Sequence, residues 1–329
     1  MDGLLVIDKP PGPTSHDVVA RMRRVLGERR IGHTGTLDPA ASGVLPLVLG
    51  RATRLARFLS ARDKSYHAVI RLGVATDTYD AGGQVSGPLY AGAWPSRDEI
   101  DRALEVFRGT FLQQPPAFSA KKIDGTRSHT LARAARNARL APRPPSVPDP
   151  LERVDRRSLP AAVAVTANSI DIVSVEGDCL TLRVACSAGF YVRSLAHDVG
   201  ERLGVGAHLT TLRRTRSGDC SLDDALALDA AERDRGAAGA AVIPLERMLQ
   251  SLRAVVLTEQ GAQHAVHGRD LGPADLLGGA PTPPGAAPIA HVAISTPRWV
   301  RLIDARGQLV GLAEPAAAPG LLHPSVVLM

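Results

Sequence analysis

Cysteine, aromatic residues and long apolar runs are all scarce in this sequence, and each scarcity excludes something. The three cysteines, Cys179, Cys186 and Cys220, form no C-x-x-C pair. No grouping of histidine and cysteine has zinc-ligand spacing, so no structural metal is expected and the thiols fit a reducing compartment. No apolar stretch approaches the roughly 20 residues that a membrane helix needs. The opening residues, Met1 to Pro10, lack a signal-peptide pattern. A cytoplasmic protein without a membrane anchor is therefore expected. No glycine loop continues into Gly-Lys-Ser/Thr, which removes the Walker type of nucleotide site. The acidic turn Thr76 to Gly83 lacks the spacing and terminal glutamate of an EF-hand. Aromatics make up only 3% of the chain, so each tyrosine inside a motif carries more weight.

What is present is a chain of 329 residues, 44% hydrophobic, with a formal net charge of +6. That length suggests two domains or one large one, with apolar content enough for a sizeable core. The small basic excess mildly favours a polyanionic partner. The most distinctive stretch runs from Gly32 to Gly50. Glycines at 32, 35 and 43 punctuate it, His33 and Asp38 are its only ionisable side chains, and Val44 to Leu49 reads as a short buried strand despite Pro46. A polar loop holding one carboxylate and one imidazole thus leads into the core, which suits a catalytic loop on a rigid scaffold. The residues alone leave a second reading open, because Asp-Pro is also a common turn dipeptide.

Elsewhere the pattern is that of a mixed α/β chain. Gly3 to Ile7 reads as a strand, followed by a stiff Asp8-Lys9-Pro10-Pro11-Gly12 turn. Thr14 and Ser15 cap a helix whose apolar face is Val18, Met22, Val25 and Leu26, with arginines around the remainder. Residues 52–60 read as helix and 66–72 as strand. Ser96 and Glu99 make a capping box for a helix that Gly109 ends. Residues 169–175 and 180–186 read as paired strands around Glu176-Gly177-Asp178, and Leu195, Val199 and Leu203 mark a helix closed by Gly204. The six prolines and several arginines between 140 and 161 predict a mobile surface loop. Beyond about residue 250, Gly/Pro-rich stretches separate short β-like runs, with a hairpin over Trp299 to Ala313 and a closing strand at Val326 to Leu328.

The run Gly32-His33-Thr34-Gly35-Thr36-Leu37-Asp38-Pro39, with Ala41-Ser42-Gly43, resembles the active-site motif of the TruB-type tRNA pseudouridine synthases, the enzymes named for uridine 55 of the tRNA T-loop. Further blocks resemble the same family: the opening strand with Lys9-Pro10 and Ser15, Asp63-Lys64-Ser65-Tyr66, Thr76 to Gly83, Gln114 to Lys122 with Gly125-Thr126-Arg127, Cys186 to Arg193, and Gly206 to Thr215. The resemblance extends from residue 3 to about 216. Three positions depart from it: His129 stands where a tyrosine is usual, and Ala188 and Phe190 replace the usual lysine and threonine.

The resemblance implies an α+β pseudouridine synthase fold, with a long, mostly antiparallel sheet flanked by helices. It implies a catalytic domain over 1–249 and a small PUA-like, RNA-binding β-barrel over 250–329. The reaction detaches uracil from C1′ of the ribose, rotates it and rejoins it through C5, an isomerisation that needs no cofactor and no metal. By resemblance Asp38 is the essential carboxylate, Tyr66 packs on the target base, and the Lys9 turn lies near the active site. His33 is placed against the T-loop beside the extruded uridine. Arg193 is the natural cation to hold Asp38 ionised, as a planar bidentate partner. Tyr191 then lines the pocket, and Asp80 joins Lys9, His33 and Tyr191 as a substrate contact. The covalent role of Asp38 stays open between attack at C6, attack at C1′ and proton abstraction to a glycal. Recognition of the tRNA T-stem-loop should rest on shape and phosphates, with arginines of the first helix, the 121–127 loop and the 213–216 run as candidate contacts. A monomer is expected. Two rival readings remain: an RNA-folding chaperone that binds tRNA without turnover, and a small-molecule enzyme using the glycine loop for phosphate. The compact chain favours a stand-alone enzyme over relatives that work within guide-RNA complexes.

Overall fold

The computed structural model describes residues 1–119, 122–123, 126–127, 160–278 and 299–329. The expectations placed on Lys121, Gly125, His129, the 140–161 segment up to residue 159, and the Gly/Pro-rich stretch beyond 278 lie outside the described residues. The elements that position the site run β1 (Gly3–Lys9), α1 (Ser15–Leu26), β2 (Ile31–His33), β3 (Ser42–Leu49), a 3-10 turn (Gly50–Leu55) running into α2 (Ala56–Ser60), β4 (Lys64–Leu72), α3 (Arg97–Leu104) and β5 (Gly109–Gln113). They continue with β6 (Val163–Glu176), β7 (Cys179–Cys186), α4 (Val192–Leu203), β8 (Ala207–Ser217), β9 (Leu226–Ala227), β10 (Ala254–Leu257), α5 (Glu259–Val266), β11 (Leu276–Leu277), β12 (Val300–Ile303), β13 (Leu309–Pro315) and β14 (Leu322–Val327).

The chain forms two compact units. The first comprises Met1–Pro39, Gly43–Ser60 and Ser217–Met329. In it β1 runs antiparallel to β3, from Gly3 opposite Leu49 to Lys9 opposite Gly43. The short β2 lies on the other side of β3, and β9 adds in parallel to β1. Every residue of β3 is buried, which is why its sequence is a continuous apolar run rather than an alternating one. Pro46 sits within the strand, and its carbonyl accepts a hydrogen bond from Thr34 N at 3.1 Å. Helix α1 starts at a full capping box, in which Thr14 Oγ1 accepts from Asp17 N and the Asp17 carboxylate accepts from Thr14 N. These hydrogen bonds from Thr14 hold the Asp17 carboxyl below the usual carboxylate range.

The same unit contains a separate five-stranded sheet in the order β11-β10-β12-β13-β14, antiparallel except for the parallel β10–β12 pair. The hairpin and the closing strand expected from the sequence are β12–β13 and β14. Strand β13 is buried on both faces. Val310 and Ala313 pack with Leu257, Leu271, Leu302 and Leu322 inside this sheet's own core. Leu309 and Leu312, with Val326 and Leu328, join Leu4, Val6, Val44, Val48, Leu55 and Leu59 in another. At about 1.5–3 kcal/mol for each fully buried aliphatic side chain, this shared core is a large contribution to stability. Polar ties follow the same path, with Arg51 Nη1 donating to Leu328 O and Arg54 Nη1 donating to Val327 O, and Trp299 packs edge-on against Phe58.

The second unit comprises Ala40–Ser42 and Ala61–Arg216. Its sheet runs β8-β4-β7-β6-β5, with β4, β7, β6 and β5 successively antiparallel. Strand β4 alternates: Lys64, Tyr66, Ala68, Ile70 and Leu72 are buried on one face. Helices α3 and α4 pack together beside the sheet. The Ser96–Glu99 capping box is present at the start of α3, and Gly204 ends α4 in the left-handed conformation. The expected strand at 169–175 is in fact a fourteen-residue strand beginning at Val163. Its first half, with Val165 and Ala167 buried, pairs from Val163 to Ala167 with β5, a partner some distance away in the sequence. The mixed α/β class and mostly antiparallel pairing implied by the sequence are borne out.

Candidate active site

The loop from Thr34 to Pro39 is held from three directions within the first unit. Ser15 Oγ both accepts from Leu37 N (2.9 Å) and donates to Leu37 O (3.1 Å). Lys9, fully buried, donates from Nζ to Pro39 O at 3.1 Å and to Pro10 O at 3.0 Å. Gly12, at φ +111, also donates its N–H to Pro39 O, at 2.8 Å. A side chain at Gly12 would strain that backbone, so the glycine is needed for the contact. The residues on either side of Asp38 are thus fixed through their backbones, and Asp38 itself stays half-buried. Thr34 is fully buried, and His33 meets His16 edge-to-face at 5.2 Å. The sequence reading placed Lys9 as a substrate contact. The structure gives its buried ammonium one carbonyl of the loop, Pro39 O, and one of its own turn, Pro10 O.

In the second unit Arg193 is buried at the start of α4. Its guanidinium donates to Thr78 O (3.2 Å) and Phe118 O (3.0 Å), and it lies 3.6 Å from Asp80 Oδ2. The other Asp80 oxygen accepts from Thr78 Oγ1 (2.7 Å) and Gly82 N (3.0 Å). Asp80 is therefore a fixed carboxylate partner of Arg193. Tyr191 caps α4 with its backbone held both ways by the buried Gln113: Nε2 donates to Tyr191 O at 3.0 Å, and Oε1 accepts from Tyr191 N at 2.8 Å. Ser194 Oγ donates to Gln114 O at 2.7 Å. The residue between Thr78 and Asp80, Tyr79, has φ +63, a left-handed conformation costing a non-glycine residue about 1–2 kcal/mol.

Tyr66 is buried on β4, opposite Val184 of β7. Two residues before it Lys64 is buried, and burial first, then the nearby Arg214 charge, pull its ammonium down to about 8. Lys64 Nζ donates to Arg62 O at 2.5 Å. Arg214 is itself buried, which removes it from the candidate phosphate contacts of the 213–216 run. In the first helix Arg23 donates to Ile31 O and Arg21 pairs with Glu232, so two of its arginines have structural partners.

The first unit brings Lys9 and the Asp38 loop together, with His33 on β2 just before that loop, and the second brings Arg193 and Asp80 together beside Tyr191, with Tyr66 on β4 of the same unit. Sequence reasoning missed the supports: Gln113, Thr78, Gly82 and the reciprocal Ser15–Leu37 bonds. The Gln113–Tyr191, Ser15–Leu37 and Arg193–Thr78 bonds act across long sequence separations, where no local pattern could reveal them, whereas the Thr78 hydroxyl and Gly82 hold Asp80 locally. Among the described residues no group of three or more His, Cys, Asp or Glu could hold a metal ion, and no helix is long and apolar enough to cross a membrane.

Comparison with known proteins gives two family models, described as TruB family pseudouridylate synthase (N terminal domain) over residues 23–159 and tRNA pseudouridylate synthase B C-terminal domain over residues 193–256. The tRNA pseudouridine synthase B of Solibacter usitatus is 38% identical over 332 residues, covering 100% of both chains. That of Geobacter sulfurreducens is 42% identical over 82% of each chain. Among solved structures, an H/ACA RNP bound to a substrate RNA containing 2'-deoxyuridine matches with a TM-score of 0.68 at 25% identity, covering 99% of this chain and 85% of that one. A Cbf5-Nop10-Gar1 complex matches at 0.67 and 27% identity, with the same coverage.

Proposed function

The chain belongs to the TruB family of pseudouridylate synthases, and from that premise we propose that it isomerises uridine 55 in the T-loop of tRNA, with Asp38 as the reacting carboxylate. It is an isomerase that forms pseudouridine in tRNA. The observation that carries the assignment of Asp38 is the pinned loop: Leu37 and Pro39 are both fixed through their backbones, so the stretch of main chain that carries the carboxylate is in place before substrate arrives. Preorganisation of this kind lets a carboxylate act without first losing conformational freedom.

In the proposed reaction the C1′–N1 bond breaks, the uracil turns, and C1′ joins C5. The C5 proton leaves and N1 takes one up, so composition is unchanged. The target uridine leaves its stack to react, which costs a few kcal/mol. His33 supports the position it vacates. Tyr66 gives the base an aromatic face, worth roughly 1–3 kcal/mol per stacked base. Arg193 stabilises the reacting anion as a planar cation, Tyr191 lines the pocket, and Asp80 keeps the guanidinium oriented. Lys9 acts through the loop it holds. Residues 1–249 form the catalytic part, and 250–329 form a PUA-like module that adds RNA contact. The enzyme works as a monomer in the cytoplasm, where its tRNA substrate is.

The test is pseudouridine formation in an unmodified tRNA transcript with purified protein and no added cofactor, the modified position being mapped. Wild type should convert only the T-loop uridine. Asp38→Asn should form none above background and bind tRNA within about twofold of wild type. Conversion by the variant near the wild-type rate would move the carboxylate role elsewhere, and tight binding without wild-type turnover would favour an RNA chaperone. Deuterium at ribose C2′ separates the routes open to Asp38, since only glycal formation breaks that C–H bond.

A further inference from the structure

Helix α4 and the turn Thr78-Tyr79-Asp80 meet through a contact that the proposed chemistry does not use. Arg193 and His197 lie four residues apart on α4 and so share one helix face. Arg193 takes the two outer residues of the turn, donating to Thr78 O and facing the Asp80 carboxylate. His197 takes the residue between them. Its ring lies flat on Tyr79, with centroids 3.9 Å apart and planes 8° from parallel. His197 Nδ1 is buried without a hydrogen-bond partner, so the imidazole meets the turn as a face rather than through a hydrogen bond at that nitrogen.

The backbone makes the contact more telling. Tyr79 is one of two non-glycine residues with positive φ among the described residues. Glycine would adopt φ +63 freely, and a bulky aromatic there is an outlier. Its N–H reaches Thr76 O at 3.2 Å and its carbonyl accepts from Leu209 N at 2.9 Å, so both sides of the strained residue are tied down. A backbone outlier beside functional groups is a reason to look for a role.

We propose that Tyr79 and His197 are positioning residues: their stack holds the left-handed turn that presents Asp80 and the Thr78 carbonyl to Arg193. The inference rests on the reading of Arg193 as part of the active site given above. Tyr79→Gly removes the ring and keeps a residue comfortable at positive φ, so it tests the stack rather than the turn's ability to form. His197→Ala removes the opposite face, while Tyr79→Phe and His197→Phe keep both faces aromatic.

Kinetics on unmodified tRNA transcript with the full-length chain decide the matter. Tyr79→Gly and His197→Ala should each lower kcat by about 10- to 100-fold, the range expected when a reacting group is slightly misplaced. KM should stay within about twofold and thermal stability close to wild type. The two phenylalanine variants should restore most of kcat, and the double variant Tyr79→Gly/His197→Ala should be no slower than either single one. Unchanged kcat in Tyr79→Gly and His197→Ala would overturn the proposal, as would kcat losses that track melting temperature across the set. Absence of pseudouridine with wild type would instead overturn the functional reading on which it rests.

Discussion

At the scale of single residues, the two charged groups of interest differ in how they are held. Asp38 is placed by its neighbours' backbones, whereas Arg193 is placed by what its own guanidinium grips. Lysine has one ammonium and no planar fork, so it cannot reach Thr78 O, Phe118 O and the Asp80 carboxylate together. Arg193→Lys should therefore keep the positive charge and still lose turnover by about 10- to 100-fold, measured under single-turnover conditions. A second residue-scale prediction concerns Asp198, beside His197. Burial, with Glu201 adding to it, pushes its carboxyl up to about 6. A raised folded-state value means that this group's contribution to stability is greatest below pH 3.8 and lost as pH rises through 6. Asp198→Asn should raise Tm at pH 7 by on the order of 2–4 °C, and the gain should vanish near pH 4 in a melting series. Neither property was legible in the sequence. His33 and Asp38 stood out because a glycine-rich loop carries so few ionisable groups, but Asp198 looks like any surface residue of an amphipathic helix.

Secondary-structure elements were easier to read, and the reasons are local. The capping box at Ser96 and Glu99 and the glycine that ends α4 act over a single turn. The apolar run of β3 announces a strand buried on both faces. The stretch after it is read as one helix from Ala52 but starts as a 3-10 turn at Gly50, whose positive φ and hydrogen bond to Arg30 O set a tighter entry. The capping serine and threonine also show how an element controls the site. Helix α1 begins at Thr14, and its first residue, Ser15, makes the reciprocal bonds to Leu37. Ser15→Ala leaves a buried N–H and C=O without that partner, a cost of about 1–3 kcal/mol. Denaturant unfolding should show that loss, and turnover should fall although Asp38 is intact. Full activity in Ser15→Ala would mean that Lys9 and Gly12 suffice to hold the loop.

For the molecule as a whole, two expectations separate affinity from architecture. If phosphate contacts dominate, tRNA affinity should fall steeply and log-linearly with salt, whereas a flat response would remove the basic-surface account. Deleting residues 250–329 should do more than weaken RNA binding. Leu309, Leu312, Val326 and Leu328 share a core with Leu4, Val6, Val44 and Val48, so their loss uncovers the strand that precedes the Asp38 loop's supports. The truncated chain should melt at a lower temperature and precipitate more readily. A truncated chain with unchanged melting would show that the first strands close their core alone. This sharing was invisible in the sequence, where the change of texture near residue 250 suggested a self-contained tail.

The shared core also bears on how the protein is made. Residues 61–216 are nearly all of the second unit, so that unit can close while later residues are still being synthesised. The strand at Gly3–Lys9 has no such opportunity, because some of its packing partners are more than 300 residues downstream. At ribosomal speeds of about 5–20 residues per second, Leu4 and Val6 wait on the order of tens of seconds for Leu312 and Val326. The first residues translated are thus among the last to complete their packing, and for that interval the nascent chain leaves part of an apolar strand open to whatever chaperone stands nearest.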